Sequence, residues 1–146
     1  MSAASDYVEK AVIEYLFNVG GAASLPRPAG IWVSLHTSAP AAETTAAWQA
    51  TEVPAGGGYA RAATGTWAGS QVTGGVAWQV TNTAQIEFPQ PTGDWAARAN
   101  LTHFALWDAA TGGNLLFTGA LASPRPVVAG DGKPTFQAAS LTVQLA

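Results

Sequence analysis

Apolar residues recur along the chain with two different periods, which predict two kinds of secondary structure. Over residues 5–18 they recur three or four positions apart, which is the spacing of one face of a helix. Asp6 and Glu9 have the spacing of a capping box, with Ser5 as an alternative N-cap, and Asn18 followed by glycines ends the helix. Because a helix of this length is marginal by itself in water, we expect its apolar face to dock on another surface.

From residue 31 onward the period changes to two, which predicts β-strands. Ile31, Val33 and Leu35 face one way and the residues between them face the other, as in a half-buried strand. Residues 38–58 are mostly Ala, Thr, Pro and Gly, and they predict a long loop that ends in three glycines. Further short strands are expected near residues 59–64, 65–68, 76–81, 84–88, 101–107, 115–121, 126–128, 134–136 and 140–145.

Turn residues separate these strands and indicate the fold class. Segments 108–114 and 129–132 contain glycines that can adopt positive φ, so each is expected to form a tight turn. Many short strands at this spacing predict a mainly β fold, an antiparallel β-sandwich of jelly-roll-like form with one short N-terminal α-helix. We expect a single domain over residues 1–146, with the sandwich covering 31–146.

Composition and charge exclude several classes of function. The chain has no cysteine, so it has no disulfide, thiolate metal site or cysteine nucleophile. Only 10% of its residues are charged and its six basic residues are scattered, which argues against a nucleic-acid partner. Its apolar runs fall short of the ~20 residues that span a bilayer. The N-terminus does not resemble a signal peptide, so no membrane partner is expected.

The titratable residues give weak signals for catalysis or metal binding. His36 and His103 could form an acid–base pair or part of a metal site with Asp94 or Asp108, but zinc needs three or four ligands. Local hydrogen bonding within strands, or a subunit contact, is the simpler interpretation of the histidines. Asp94, Asp108 and Asp131 lie in glycine-containing loops, where aspartate caps its own backbone more often than it binds calcium. We therefore expect no catalytic residue, metal or cofactor.

Tryptophan is the compositional outlier, with six copies in the chain. Trp48 and Trp95 lie in predicted loops, where they could anchor a protein interface or stack on a sugar ring. Few charges and many aromatic and small polar residues favour an interface over a catalytic cleft. The interface candidates are Trp48, Gly56, Gly57, Gly58, Tyr59, Trp95 and His103.

Four motifs in a fixed order give the chain a resemblance to a known family. They read VSLHTSAP at residues 33–40, EVPAGGGYAR at 52–61, NTAQIEFPQPTGDW at 82–95 and THFALWDAATGGNLLFTGAL at 102–121. The sequence resembles small virion proteins of tailed bacteriophages, of the kind called phage tail fibre proteins. The resemblance implies a non-enzymatic virion component with a β-sandwich fold that acts as an oligomer and assembles in the host cytoplasm.

The resemblance also sets expectations for partners and place. A long fibre shaft needs more than 146 residues, so we expect a compact accessory subunit: a capsid decoration or cement protein, a collar protein or a tail-fibre-associated protein. Its expected partners are other copies of itself, as a trimer, and capsid or tail proteins. The alternative is a carbohydrate-binding module that attaches to a host glycan through exposed tryptophans. A third hypothesis is a small hydrolase built on His36, His103 and an aspartate.

Overall fold

The computed structural model describes residues 2–21, 25, 27–72 and 77–145. Within these ranges the chain forms two α-helices, α1 (Asp6–Leu16) and α2 (Thr45–Thr51), and 3₁₀ turns at Val19–Gly21 and Trp95–Arg98. The strands in chain order are β1 (Ser2–Ala4), β2 (Trp32–His36), β3 (Ala62–Ala63), β4 (Trp67–Gln71), β5 (Trp78–Asn82), β6 (Ile86–Glu87), β7 (Leu101–Trp107), β8 (Leu115–Arg125), β9 (Thr135–Phe136) and β10 (Thr142–Leu145).

These strands pair antiparallel in three sheets. The largest has the order β1-β8-β7-β2-β3, and the others have the orders β10-β5-β4 and β6-β9. Side chains from all three sheets meet in one apolar core, which includes Leu35 on β2, Ile86 on β6, Phe104 on β7 and Val143 on β10. The mainly β, sandwich-like architecture predicted from the sequence is confirmed.

The hairpin of β7 and β8 is the part of the fold that the sequence predicted best. Strand β7 has the predicted bounds, and residues 108–114 form the predicted turn. The Asp108 carboxylate accepts hydrogen bonds from the backbone N–H and the side-chain amide of Asn114, at 2.6 and 2.7 Å. Gly113 has a φ of 76°, and a Cβ added there would lie 2.5 Å from Asp108 Oδ1. Only glycine fits that position without strain.

Two predictions about the segment 31–58, a half-buried strand and a loop without secondary structure, are wrong for one reason. The last four residues of β2 are all buried, so this strand is covered on both faces. The second face is covered by α2, which lies within the segment predicted to be a loop and is capped by Thr44 Oγ1 accepting from Ala47 N. Trp48 on α2 packs against the central strands. The fold therefore has two α-helices where one was expected.

Several strand bounds also differ from the prediction. The predicted strand at 126–128 does not form, because the Val127 carbonyl accepts from Trp95 N at 3.0 Å and Val128 N donates to Asp131 Oδ2 at 3.0 Å. The predicted tight turn that follows is present, with Gly130 at a φ of 84°. Strand β1 was not predicted, and residue 76 of the predicted strand 76–81 lies outside the described residues.

Ser5 attaches α1 to the largest sheet. It is the N-cap, accepting from Val8 N at 3.4 Å, and its hydroxyl also donates to the Leu115 carbonyl at 2.5 Å. Its backbone N–H donates to the Leu116 carbonyl on β8. Ser5, the alternative to Asp6 in the sequence-based prediction, is thus the residue that caps α1. Among the described helices, none combines the length and apolar character needed to cross a membrane.

Asn82 joins the smaller sheets. Its side chain is buried, and its amide donates to the carbonyls of Ala84 and Gln137, both at 2.8 Å. Its side-chain oxygen accepts from Leu141 N at 2.9 Å. One side chain therefore binds three backbone groups, from the segment before β6, the segment after β9 and the start of β10.

Replacing Asn82 with alanine should destabilise the protein by about 1–3 kcal/mol, because it leaves the buried N–H of Leu141 without a partner. Urea unfolding at equilibrium would measure the loss. Gln85→Ala, at an exposed position nearby, is the matched control and should change stability by no more than about 0.5 kcal/mol. Equal losses in the two variants would contradict this role of Asn82.

Candidate interaction surface

The two loop tryptophans proposed as contact residues are buried within the chain. Trp48 is 3% exposed and Trp95 is 1% exposed. Trp48 belongs to α2, and the indole N–H of Trp95 donates to the Gly57 carbonyl at 2.8 Å. Neither ring is presented to a partner in this conformation, because the segments predicted to be open loops fold back onto the core.

The glycine run 56–58 forms a close-packed bend. All three glycines have positive φ, and Tyr59 N donates to the Gly56 carbonyl at 2.9 Å. A Cβ on Gly57 would lie 2.9 Å from the Gly93 carbonyl oxygen, so the two backbones pass too closely for a side chain. Gly56 and Gly58 are exposed and Gly57 is half-buried, which leaves part of the bend at the surface.

An ion pair beside this bend is internal. Arg61 binds Glu52 through two nitrogens, at 2.8 and 2.6 Å, and its guanidinium lies 3.9 Å from the centre of the Trp107 ring. The Tyr59 hydroxyl donates to Glu52 at 3.1 Å and accepts from Leu35 N at 3.1 Å. Burial, and then the Glu52 charge, raise the pKa of Tyr59 far above its usual range. These groups hold the fold together and present no charged surface to a partner.

His36 is fully buried between two tryptophans. Its Nε2 lies 2.6 Å from Ser34 Oγ, and its Nδ1 lies 3.1 Å from Thr51 Oγ1. This serine–histidine pair was not predicted from the sequence, although alternate residues of one strand share a face. Trp107 Nε1 donates to the same serine oxygen at 2.7 Å, and Trp48 packs edge-on to the imidazole. With both partners fully buried, this pair has no open path to a substrate.

The histidines and aspartates do not form the constellation that a hydrolase needs. His36 and His103 are opposite each other on β2 and β7, and His103 lies 2.8 Å from Thr102 Oγ1. Asp94 instead binds Arg98 and the backbone N–H of Ala129, which together hold its pKa below the usual range. Asp108 caps its own hairpin. Within the described residues, no three His, Asp or Glu side chains are grouped so as to hold a metal.

The exposed apolar groups are concentrated at the end of α1. Tyr7 and Val8 pack against the core, but the last turn and the following residues face solvent. The first half of the helix therefore docks on the core, whereas none of the described residues of this chain covers the apolar side chains of its C-terminal half. We define the α1 surface as Ile13, Tyr15, Leu16, Phe17 and Val19, which are between 42% and 73% exposed.

The α1 surface is unusually large for a side of the protein that stays in water. Five large side chains at these exposures present roughly 600 Å², at the upper end of the largest apolar patches on ordinary monomers. The patch residues themselves carry no charge, and the nearby Lys10 and Glu14 pair with each other at 2.8 Å. Patches of this size commonly mark protein–protein contacts.

Two other apolar features reach the surface. Trp78 on β5 is 61% exposed and is the one exposed tryptophan of the six, all of which lie in described residues. A cavity of about 560 Å³ opens between the second half of β8 and strands β9 and β10, over the rings of Phe104 and Phe136. Its volume falls within the range of sites that hold a ligand or a partner's side chains.

The buried His36 should make stability depend on pH. Burial, with a smaller contribution from the Arg61 charge, lowers its pKa from 6.5 to about 3. Between these values the unfolded chain takes up a proton that the folded chain does not, so stability falls as pH falls below 6.5. The slope attributable to His36 approaches about 1.4 kcal/mol per pH unit. The free energy of unfolding, measured with urea at several pH values between 6.5 and 5, should depend less steeply on pH in His36→Gln than in the wild type. Equal pH slopes in the two proteins would contradict this assignment.

The sequence model of the family described as podophage GP4 fiber I protein gp80 matches residues 3–144, which include all four motifs. No curated protein matches the sequence significantly. The family is one of structural phage fibre proteins and is not a class of enzymes. The chain is therefore a member of the podophage GP4 fiber I protein gp80 family and a structural component of the virion.

Proposed function

We propose that this protein is a single-domain accessory subunit of the phage particle, which binds neighbouring protein subunits through the α1 surface. The observation that carries the proposal is the concentration of exposed large apolar side chains in the last turn of α1 and the residues that follow it. Burying roughly 600 Å² of apolar surface yields about 15 kcal/mol before the costs of association, which are of similar size. A single contact is therefore modest, and symmetric repetition strengthens it.

The proposed partners are two other copies of this chain, which complete a trimer, and a capsid or tail protein that the trimer binds. Around a threefold axis each α1 surface meets the next, so every copy gains two contacts from one patch. The exposed Gly56 and Gly58 and the half-buried Tyr59 and His103 are further candidate contact residues. Assembly takes place in the host cytoplasm, and the particle position is that of a decoration, cement or tail-fibre-associated subunit.

Attachment to a host glycan is the second candidate function. It is favoured by the exposed ring of Trp78, since aromatic rings stack on sugars, whereas the buried rings of Trp48 and Trp95 do not contribute. Addition of host-cell oligosaccharides should then quench tryptophan fluorescence in the wild type and not in Trp78→Ala. Quenching that persists in the variant would exclude Trp78 as the stacking residue.

Charges placed in the α1 surface should prevent assembly without unfolding the chain. The double variant Leu16→Asp, Phe17→Asp should associate at least tenfold more weakly, because two carboxylates would have to be desolvated in an apolar contact. Sedimentation velocity would measure the oligomer, and incorporation into particles would measure the biological contact.

Asn18→Asp is the matched control, because it adds negative charge at an exposed neighbouring position without removing an apolar side chain. It should assemble like the wild type. An unchanged oligomer and unchanged incorporation in the double variant, with the fold confirmed by circular dichroism, would overturn the proposed role of this surface.

A further inference from the structure

Strand β4 presents an unguarded sheet edge. It is the outer strand of the sheet β10-β5-β4, and its last four residues are exposed. Natural proteins usually protect such an edge with a charged residue, a proline or a bulge, since a free edge can pair with another chain. Here the register with β5 is regular, and residues 62–86 contain neither a charged residue nor a proline.

The hydrogen-bond pattern fixes which backbone groups this edge offers. Thr83 N donates to the Thr66 carbonyl and Val72 N donates to the Ala77 carbonyl, both at 3.0 Å. In an antiparallel ladder the bonded pairs alternate along the strand, so even-numbered residues of β4 direct their backbone groups toward β5. The N–H and C=O groups of Trp67, Gly69 and Gln71 consequently point away from β5, toward the free edge.

We propose that β4 pairs antiparallel with β4 of a second copy of this chain, about a twofold axis at Gly69. Gly69 then lies opposite Gly69 of the partner subunit, and Trp67 lies opposite the partner's Gln71. Each of the three bonded positions exchanges two hydrogen bonds, which gives about six between the chains. The two three-stranded sheets become one sheet of six strands.

The position of Trp78 is the reason for choosing a second copy as the partner. Its indole lies over Gly69, where an added Cβ would be 3.2 Å from the ring nitrogen. A twofold axis at Gly69 keeps the same face of both sheets on the same side. The Cα atoms of the two opposed glycines are about 5.5 Å apart. Trp78 and its counterpart are thus brought together across the axis, which covers a ring that is 61% exposed in the single chain. Because the edge is uncharged, no like charges oppose the pairing.

This contact is independent of the α1 surface. A twofold contact joins one patch to an identical patch and cannot close a ring of three subunits. In the proposed trimer it would connect a copy in one ring to a copy in another. The buried area is small, so we expect weak pairing in dilute solution that becomes effective when many copies are held on one particle.

A single introduced cysteine tests the register, because the natural chain has none. Gly69→Cys places two thiols on the twofold axis, at a separation between Cα atoms that a disulfide spans. Mild oxidation should convert this variant to a covalent dimer at least tenfold faster than Thr111→Cys, which is exposed on the β7–β8 turn. Equal rates in the two folded variants would overturn the proposal.

A second pair of variants leaves Gly69 in place. Gln71→Pro removes an N–H that points to the free edge, so it should abolish the dimer in concentration-dependent sedimentation while leaving the β4–β5 ladder intact. Gln71→Ala keeps that N–H and should dimerise like the wild type. Dimerisation that survives Gln71→Pro would contradict the pairing. Measurement in the Leu16→Asp, Phe17→Asp background separates this contact from the α1 surface, because the twofold dimer should persist there.

Discussion

The fold depends on covering both faces of the central strands β2 and β7. One face contributes Leu35 and Phe104 to the main core, and the other places Trp107 and His36 beneath Trp48 of α2. A strand pair buried on both sides cannot leave its polar groups without partners. Ser34 meets this requirement, since its hydroxyl lies within hydrogen-bond distance of both the imidazole of His36 and the indole of Trp107.

This arrangement leaves the hydroxyl of Ser34 and the imidazole of His36 without access to a substrate in the folded chain. The same burial that fixes Ser34 and His36 also lowers the pKa of the imidazole to about 3, so it stays neutral in the folded chain at physiological pH. Among the described residues one ion pair is shielded from water, Glu52 with Arg61, and it connects the glycine bend to the β7–β8 turn. Polar chemistry in this chain mainly holds the fold together.

At the surface, the small number of charged residues affects contacts between molecules rather than the fold of one chain. With only 10% of its residues charged, the chain leaves apolar and uncharged polar groups in contact with water. For a freely diffusing protein, the α1 surface and the β4 edge would be hazards for aggregation. For a subunit whose place is on a particle, they offer two separate kinds of contact: apolar burial along a helix, and backbone pairing along a strand.

The sequence by itself determined the helix that Ser5 caps, the strand Leu101–Trp107, the turns with obligatory glycines and the family. The helix, the strand and the turns depend on neighbours within a few positions, and local periodicity and turn chemistry report on such neighbours. The family follows from four motifs in a fixed order along the chain. Only the tertiary structure decided that Trp48 and Trp95 are buried, that β2 is covered on both faces and that Ile13, Leu16 and Phe17 remain in solvent. Burial depends on which distant segment covers a face, and the alternation of residues along a strand is the same whether or not a second layer packs on it.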